Sequence, residues 1–466
     1  MLDIVSVKCY IIHVAIDGKK QKNNDDKEFQ MAKKRYAVCG VSSRAIWMYI
    51  SAIAKKFQDR AELVGMLDID PIRFKVCKNV FPEVKDVAEY LVTPENWQDG
   101  FDRMLAEQKP DAILVVSQDC YHVNYICRGL ENDLEVISEK PMTTNIPDAL
   151  RVMEAEDHSK GKLICTFNYR YNPVHVKLRE LILNGKIGRV THVDLNWYID
   201  IHHGSSYFHR WNRMRENSGS LSIHKSSHHF DLVNWWVDGI PEYVHAFGAL
   251  NHFGPDGEFN PSRKDGRHCG ECAERIRCPY KKRWDTRTAA MFVKDDHLNA
   301  FDSKEKLFTT YRPDMCMFDS AINIHDTFVA NVKYRNGVLL NYSANFSTPY
   351  EGYSLAINGT QGRLETREFG GAGASALPPI HEPGGQYIDY FPIFEGRERI
   401  HVTLAEGGHG GGDNRIQEDI FLGEDPDRKF DILAKSQDGL RAISIGDAIY
   451  NSILDGKVQD LTSFIR

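Results

Sequence analysis

From position 35 almost to the C-terminus, short apolar blocks alternate with longer amphipathic stretches, a pattern of alternating strands and helices. Residues 36–39 read as a buried strand, followed by Gly40-Val-Ser-Ser-Arg-Ala45 and an apolar helical stretch over 46–53. A second strand, 63–67, ends at Asp68; a third, 112–116, precedes Ser117-Gln-Asp-Cys-Tyr-His122; a fourth, 134–137, runs into Ser138-Glu139-Lys140-Pro141. Farther on the period shortens to two over 327–334, 338–346 and 354–357, with Gly359-Thr-Gln-Gly362 as a hairpin-like turn. Residues 369–395, rich in Gly and Pro, read as an irregular loop, and 439–454 as a closing helix.

Composition narrows the class. With 466 residues, 42% hydrophobic and 26% charged, the chain can bury a sizeable core in two or three domains. A net charge of -7, from 58 basic and 65 acidic residues, gives no bulk electrostatic reason to expect nucleic acid or an anionic membrane as partner. No run approaches the roughly 20 apolar residues of a spanning helix. Residues 1–16 lack the basic start and cleavage site of a secretory signal, and 17–34 are polar enough to be a linker, so the working domain begins near Met31. Ten scattered cysteines are too few for a disulfide scaffold, and reduced thiols in the cytoplasm are expected.

The first chemistry lies at the strand-to-helix junction. Free N–H groups at a helix start bind a pyrophosphate, and Gly40 stands where a dinucleotide fingerprint has its first glycine. Ser42 and Ala45 replace the second and third, so the junction reads equally as an ordinary turn with a serine N-cap. Asp68 lies 23 residues after Ala45, near the spacing of a ribose-binding carboxylate, which favours NAD over NADP; Asp70 competes for that role, and Arg44 and Arg73 keep NADP open. The polar clusters after the third and fourth strands lie where doubly wound sheets bind ligands.

Glu139-Lys140-Pro141, then Phe167-Asn-Tyr-Arg-Tyr-Asn-Pro173, then Asn184-Gly-Lys-Ile-Gly188 leading into a strand, resemble the Gfo/Idh/MocA oxidoreductases, which include glucose-fructose oxidoreductase and inositol dehydrogenase. The resemblance spans most of residues 35–460. It implies an α/β protein: an N-terminal Rossmann dinucleotide-binding domain, then an α/β domain whose large, open, mostly antiparallel sheet covers the nicotinamide and often mediates homo-oligomer contacts. The corresponding division is an extension over 1–34, a Rossmann domain over 35–160 and a substrate domain over 161–466. By resemblance Lys140 sits beside the nicotinamide and the substrate hydroxyl. The expected cofactor set is Gly40, Ser42, Ser43, Arg44, Asp68, Ser117, His122, Glu139 and Lys140.

In the second half the richest segment is 219–236, in which His224, His228 and Asp231 follow i, i+4, i+7 and would share one face of a helix. Oxidising an alcohol needs a base for the hydroxyl proton, and imidazole titrates near neutrality. His228 is the candidate. The family's usual form has an aspartate four residues earlier; here that place holds His224, which orients the substrate, relays the proton or joins His228 on a metal. Tyr169, Arg213, Lys225 and Asp231 are further candidate hydroxyl contacts. The aromatic and polar stretch 204–211 suits sugar recognition or a partly exposed loop. Gly407-Gly-His409-Gly-Gly-Gly-Asp413 is either a close-approach ligand segment through His409 or a flexible connector.

Three of the ten cysteines fall within ten residues, in an insert over 262–282: Cys269, Cys272 and Cys278. With Cys316 or His268 as fourth ligand, the family resemblance favouring Cys316, they would suit a structural zinc; the alternatives are reduced thiols packed in a loop or an iron-sulfur site. The expectation is a nicotinamide-dependent oxidoreductase for a secondary hydroxyl of a sugar, cyclitol or glycoside. Its rivals are a glycosidase working through transient oxidation and a non-catalytic dinucleotide and sugar sensor.

Overall fold

The computed structural model describes residues 32–280, 312–370, 385–426 and 430–465. Of the extension and linker expected over 1–34, residues 1–31 lie outside the described residues, as do the end of the cysteine insert and the middle of the loop expected over 369–395.

Six strands, β1 (Lys34–Cys39), β2 (Ala61–Asp68), β3 (Ala88–Leu91), β4 (Ala112–Val115), β5 (Glu135–Ser138) and β6 (Lys162–Cys165), form a sheet in the order β3-β2-β1-β4-β5-β6. Every pairing in it is parallel. Ala112, Ile113, Leu114 and Val115 are fully buried, because helices cover both faces of a parallel sheet. Strand order reverses between β1 and β4, which leaves a crevice beyond their carboxyl ends. This is the Rossmann arrangement. Strand β3 gave no signal in the sequence, since only Tyr90 of its four residues is buried at the sheet edge.

Nine strands build a second sheet: β7 (Val190–Asp200), β8 (Pro241–Ala249), β9 (Thr327–Tyr334), β10 (Leu339–Thr348), β11 (Glu351–Gly359), β12 (Gly362–Gly370), β13 (Gly385–Pro392), β14 (Glu398–Thr403) and β15 (Gln459–Asp460). Their order is β14-β13-β12-β11-β7-β10-β9-β8-β15, antiparallel except for the parallel pair β7 and β10. Strands β12 and β13 replace both ends of the expected irregular loop. Along β9 the residues alternate strictly between buried and outward, the mark of a sheet with one covered face. The helix Ser227–Val237 lies on the covered face, with Phe230 edge-on to Tyr342 of β10 at 4.8 Å. On the other face Phe247 and Val329 are register partners and stay 66% and 49% exposed.

The expected domain boundary at 160 is too early, because β6 completes the first sheet. The end of the chain also returns to that half. Phe421, from the helix Gly412–Leu422, packs edge-on against Tyr36 of β1 at 5.2 Å, and Gln417 donates to the carbonyl of Met48 at 2.7 Å. The last helix, Ser436–Asp455, offers Asp447 to the main-chain N–H of Ile146 at 3.0 Å.

Candidate active site

Gly40 turns the chain out of β1 with φ +93°, and a Cβ there would stand 2.5 Å from the main chain of Ser117 after β4. Only glycine lets the two strand ends come this close. Ser42 caps the next turn by accepting from the N–H of Ala45 at 3.2 Å, with Ser43 and Arg44 beside it at the helix start. The helical run that follows, Ala45–Ile50 and Ala52–Lys56, is wound with π rather than α geometry. Asp68 closes the turn from β2, accepting from the N–H of Val41 at 2.6 Å and of Asp70 at 2.8 Å. Burial raises its carboxyl pKa against these bonds and the nearby Arg73. Asp70 caps the helix Pro71–Val80, and Arg73 is buried against the carbonyl of Val41, so both expected rivals are structurally engaged.

At the ends of β4 and β5 the ring nitrogens of His122 lie 2.8 Å from the carbonyl of Pro141 and 3.0 Å from that of Ser117, tying the two loops together. Glu139 accepts from Arg44 at 2.6 Å and from the Tyr49 hydroxyl at 2.9 Å. Burial opposes its charge, yet Arg44 and Lys140 hold its carboxyl below the usual range. Arg44 also bonds Asp413 at 3.0 Å, so one guanidinium joins the first turn, the Glu139 loop and the glycine-rich segment.

Lys140 reaches across to the second half, where its Nζ donates to the carbonyl of His224 at 3.0 Å. Burial brings its ammonium down to about 8, while Asp119 and Glu139 work the other way. His224 ends a short helix, Leu221–His224, and His228 lies in the separate helix Ser227–Val237. The single helical face expected for His224, His228 and Asp231 is therefore broken at Lys225 and Ser226. His228 is buried, with the Tyr169 ring stacked on it at 4.2 Å and Phe167 edge-on at 5.9 Å. Among the described residues its Nδ1 has no hydrogen-bond partner. Burial, then Lys140 and Lys225, push its pKa well below the ordinary imidazole value, so it stands neutral at physiological pH. Lys225 donates to the Tyr169 hydroxyl at 3.0 Å.

Asp119 is the residue the sequence reading missed. Its Oδ2 lies 2.5 Å from Nδ1 of His224, and burial raises its carboxyl to about 7. The available signal was an acid in the polar cluster after the third predicted strand.

Residues 407–413 form a built turn. The Cβ position of Gly412 is 2.4 Å from the carbonyl of Asn168, the close approach that glycine permits. His409 pairs with Asp413 at 2.9 Å, and its ring centroid lies 5.3 Å from that of Tyr169. This wall meets the aromatic floor of the site.

Two expected substrate contacts have partners within the protein. Asp231 makes a bidentate pair with Arg170 at 2.6 and 2.8 Å in the interior, both side chains being almost fully enclosed. Arg213 donates to the carbonyl of Cys316 and pairs with Asp319, each at 3.0 Å. Both pairs tie separate elements of the chain together. The stretch 204–211 begins within the helix Ile201–Phe208, with Gly204 to Phe208 buried, so that part is not the partly exposed loop of the second reading. Cys269, Cys272, Cys278 and Cys316 do line one cavity, together with Arg267 and Arg275. Among the described residues no group of three or more His, Cys, Asp or Glu side chains is set to hold a metal ion. The expected zinc set is thus assembled as neighbours without the arrangement of ligands.

Two family models match the chain: the NAD-binding Rossmann fold of the oxidoreductase family over residues 34–167 and its C-terminal alpha/beta domain over 179–461. The chain is 50% identical to YteT of Bacillus subtilis (strain 168) over 432 residues, 91% of this chain and 97% of that protein. Inositol 2-dehydrogenase of Rubrobacter xylanophilus is 26% identical over 160 residues, 33% of this chain and 42% of that one. The fold is similar to the WlbA dehydrogenase of Bordetella pertussis, solved with NADH and UDP-GlcNAcA, with TM-score 0.58 and 20% identity over 92% of this chain and 99% of that one. With a Rossmann sheet, an open second sheet and both family models in place, the chain belongs to the Gfo/Idh/MocA oxidoreductase family.

Proposed function

We propose that the protein transfers hydride between a secondary hydroxyl of a sugar, cyclitol or glycoside and NAD. The observation that carries this reading is the meeting of Lys140, from the nucleotide half, with the segment bearing His228 from the other half. The names of relatives support the substrate class: one is an inositol 2-dehydrogenase, and a similar fold was solved with NADH and a nucleotide sugar.

The residues present fit the dinucleotide. Gly40 to Arg44 supply the turn, Asp68 the carboxylate at the end of β2, and Ser117, His122 and Glu139 the loops at the crevice. A carboxylate at Asp68 repels a 2'-phosphate, which favours NAD over NADP. Bound there, the nicotinamide supplies the hydride acceptor. His228 takes the hydroxyl proton, its neutral ring already suited to a base, and Lys140 positions and polarises the same oxygen. Tyr169, Lys225 and His409 line the approach and hold the remaining hydroxyls. Among the described residues no helix is long and apolar enough to cross a membrane. The same reading places the enzyme in the cytoplasm, as a homo-oligomer assembled through the open sheet face.

The test is to supply NAD with a panel of polyols and glycosides and follow reduced nicotinamide by absorbance. Net accumulation supports the dehydrogenase. Leaving-group release without accumulation assigns the redox glycosidase instead, and tight cofactor binding with neither assigns a sensor.

A further inference from the structure

Asp119 and His224 have no part in the chemistry above, yet they meet beside it. Asp119 comes from the loop after β4, in the half that also carries Lys140, and His224 ends the short helix Leu221–His224 of the other half. Their side chains are 6% and 14% exposed, with Oδ2 of Asp119 2.5 Å from Nδ1 of His224. With the carboxylate accepting there, Nε2 is left to accept from the Asn212 amide at 3.1 Å. Tyr207 and Trp211 stand edge-on to the ring at 5.4 and 5.6 Å. Both ring nitrogens are engaged within the protein, so the imidazole serves the main chain that carries it.

That main chain holds Lys140, whose Nζ donates to the carbonyl of His224 at 3.0 Å. The last carbonyls of a helix lack partners within it, and here the chain breaks at Lys225 and Ser226 before the helix Ser227–Val237 begins. The His224 carbonyl is therefore open to a donor from outside. An ammonium has three N–H groups: one given to this carbonyl fixes where Nζ sits, and two are left for an oxygen in the site. Without such an anchor the end of a flexible lysine samples many positions. The other end of the short helix has its own ties. Ser220, at φ +79°, accepts from the N–H of Ser222 at 3.3 Å, and the Ser222 hydroxyl donates to the carbonyl of Gly446 at 2.7 Å.

We propose that Asp119 is a positioning residue for Lys140: it grips the His224 side chain so that the His224 carbonyl holds the ammonium where the substrate oxygen arrives. Two bonds, Asp119 to the side chain and Lys140 to the main chain, run from the nucleotide half to this one residue, and His228 follows four positions later. The clasp sets the spacing between an ammonium on one half and an imidazole base on the other, which neither half fixes alone. It rests on the reading that Lys140 meets the substrate oxygen.

The experiment joins structure and rate. Crystals of the wild type, Asp119→Asn and Asp119→Leu, each soaked with NAD, give the separation of Lys140 Nζ from the His224 carbonyl. Asparagine keeps an acceptor oxygen for Nδ1–H, so the lysine bond should survive in Asp119→Asn and open beyond about 3.5 Å in Asp119→Leu. With NAD and the alcohol oxidised fastest in the polyol and glycoside panel, Asp119→Leu should lower kcat about 10- to 100-fold, while Asp119→Asn stays within about threefold of the wild type and KM changes little in either. In a Lys140→Ala background Asp119→Leu should cost nothing further, because it acts through the lysine; a merely structural role would add its own loss. His224→Leu removes the other end of the same bond and should reproduce each result, which keeps the proposal testable where Asp119→Leu does not fold. An unmoved Nζ in the leucine variants, or additive losses, overturns the proposal. Alcohol oxidation by the wild type with Nζ unmoved in Asp119→Leu removes the clasp and leaves the oxidoreductase reading. A displaced Nζ in a protein that oxidises no alcohol does the reverse.

Discussion

The ring of Tyr169 lies flat on His228, with centroids 4.2 Å apart and planes 8° from parallel, while its hydroxyl accepts from Lys225 at 3.0 Å. The stack fixes the plane of an imidazole whose Nδ1 has no hydrogen-bond partner among the described residues. Tyr169→Leu should therefore lower kcat about tenfold, the worth of a good aromatic contact, and Tyr169→Phe clearly less. Initial rates of cofactor reduction for the two variants, measured side by side, check this order. Equal losses would show that the hydroxyl matters and the ring does not.

Lys140→Ala and His228→Ala should each cost about 10² to 10⁴ in turnover, with the dissociation constant for NAD changed no more than about threefold. The pH dependence follows from the shifted groups. Since His228 is pushed down, the oxidising reaction keeps its base until the pH falls well below 6.5. Reduction of a carbonyl needs the Lys140 ammonium and should decline as pH rises through about 8. Rate profiles in both directions test the assignment, and an alkaline limb unchanged in Lys140→Arg would refute it.

Asp231→Ala leaves the Arg170 guanidinium without its bidentate partner in the interior, next to Asp438 alone. Removing one member of such a pair costs about 3–5 kcal/mol, read as a lowered urea midpoint. A loss of activity at unchanged stability would instead return Asp231 to the substrate site.

Phe247 and Val329 sit side by side on the open sheet face. On the proposed homo-oligomer, Phe247→Asp with Val329→Lys should shift the protein toward smaller species in analytical ultracentrifugation while each subunit keeps its far-UV spectrum, and a monomeric wild type would refute the assembly. An unchanged sedimentation coefficient would place the subunit contact elsewhere.

The strand-turn-helix at Gly40 and the alternation of β9 to β11 were legible because their periodicity is local. Strand β3 was not, since an edge strand with one buried residue carries almost no pattern. Lys140 and His228 were singled out by ordered motifs, whereas Asp119 meets His224 only through a contact 105 positions apart in sequence. The partners of Asp231 and Arg213 were not legible either: Arg170 lies 61 positions from Asp231, and Arg213 bonds the Cys316 carbonyl 103 positions away, so neither pairing leaves a local pattern.

The helix Gly412–Leu422 seats Phe421 against Tyr36 and Gln417 against the main chain of Met48. During synthesis the nucleotide half therefore emerges long before the residues that finish its packing. Its last apolar seam closes only when that helix arrives, which joins the stability of the two halves.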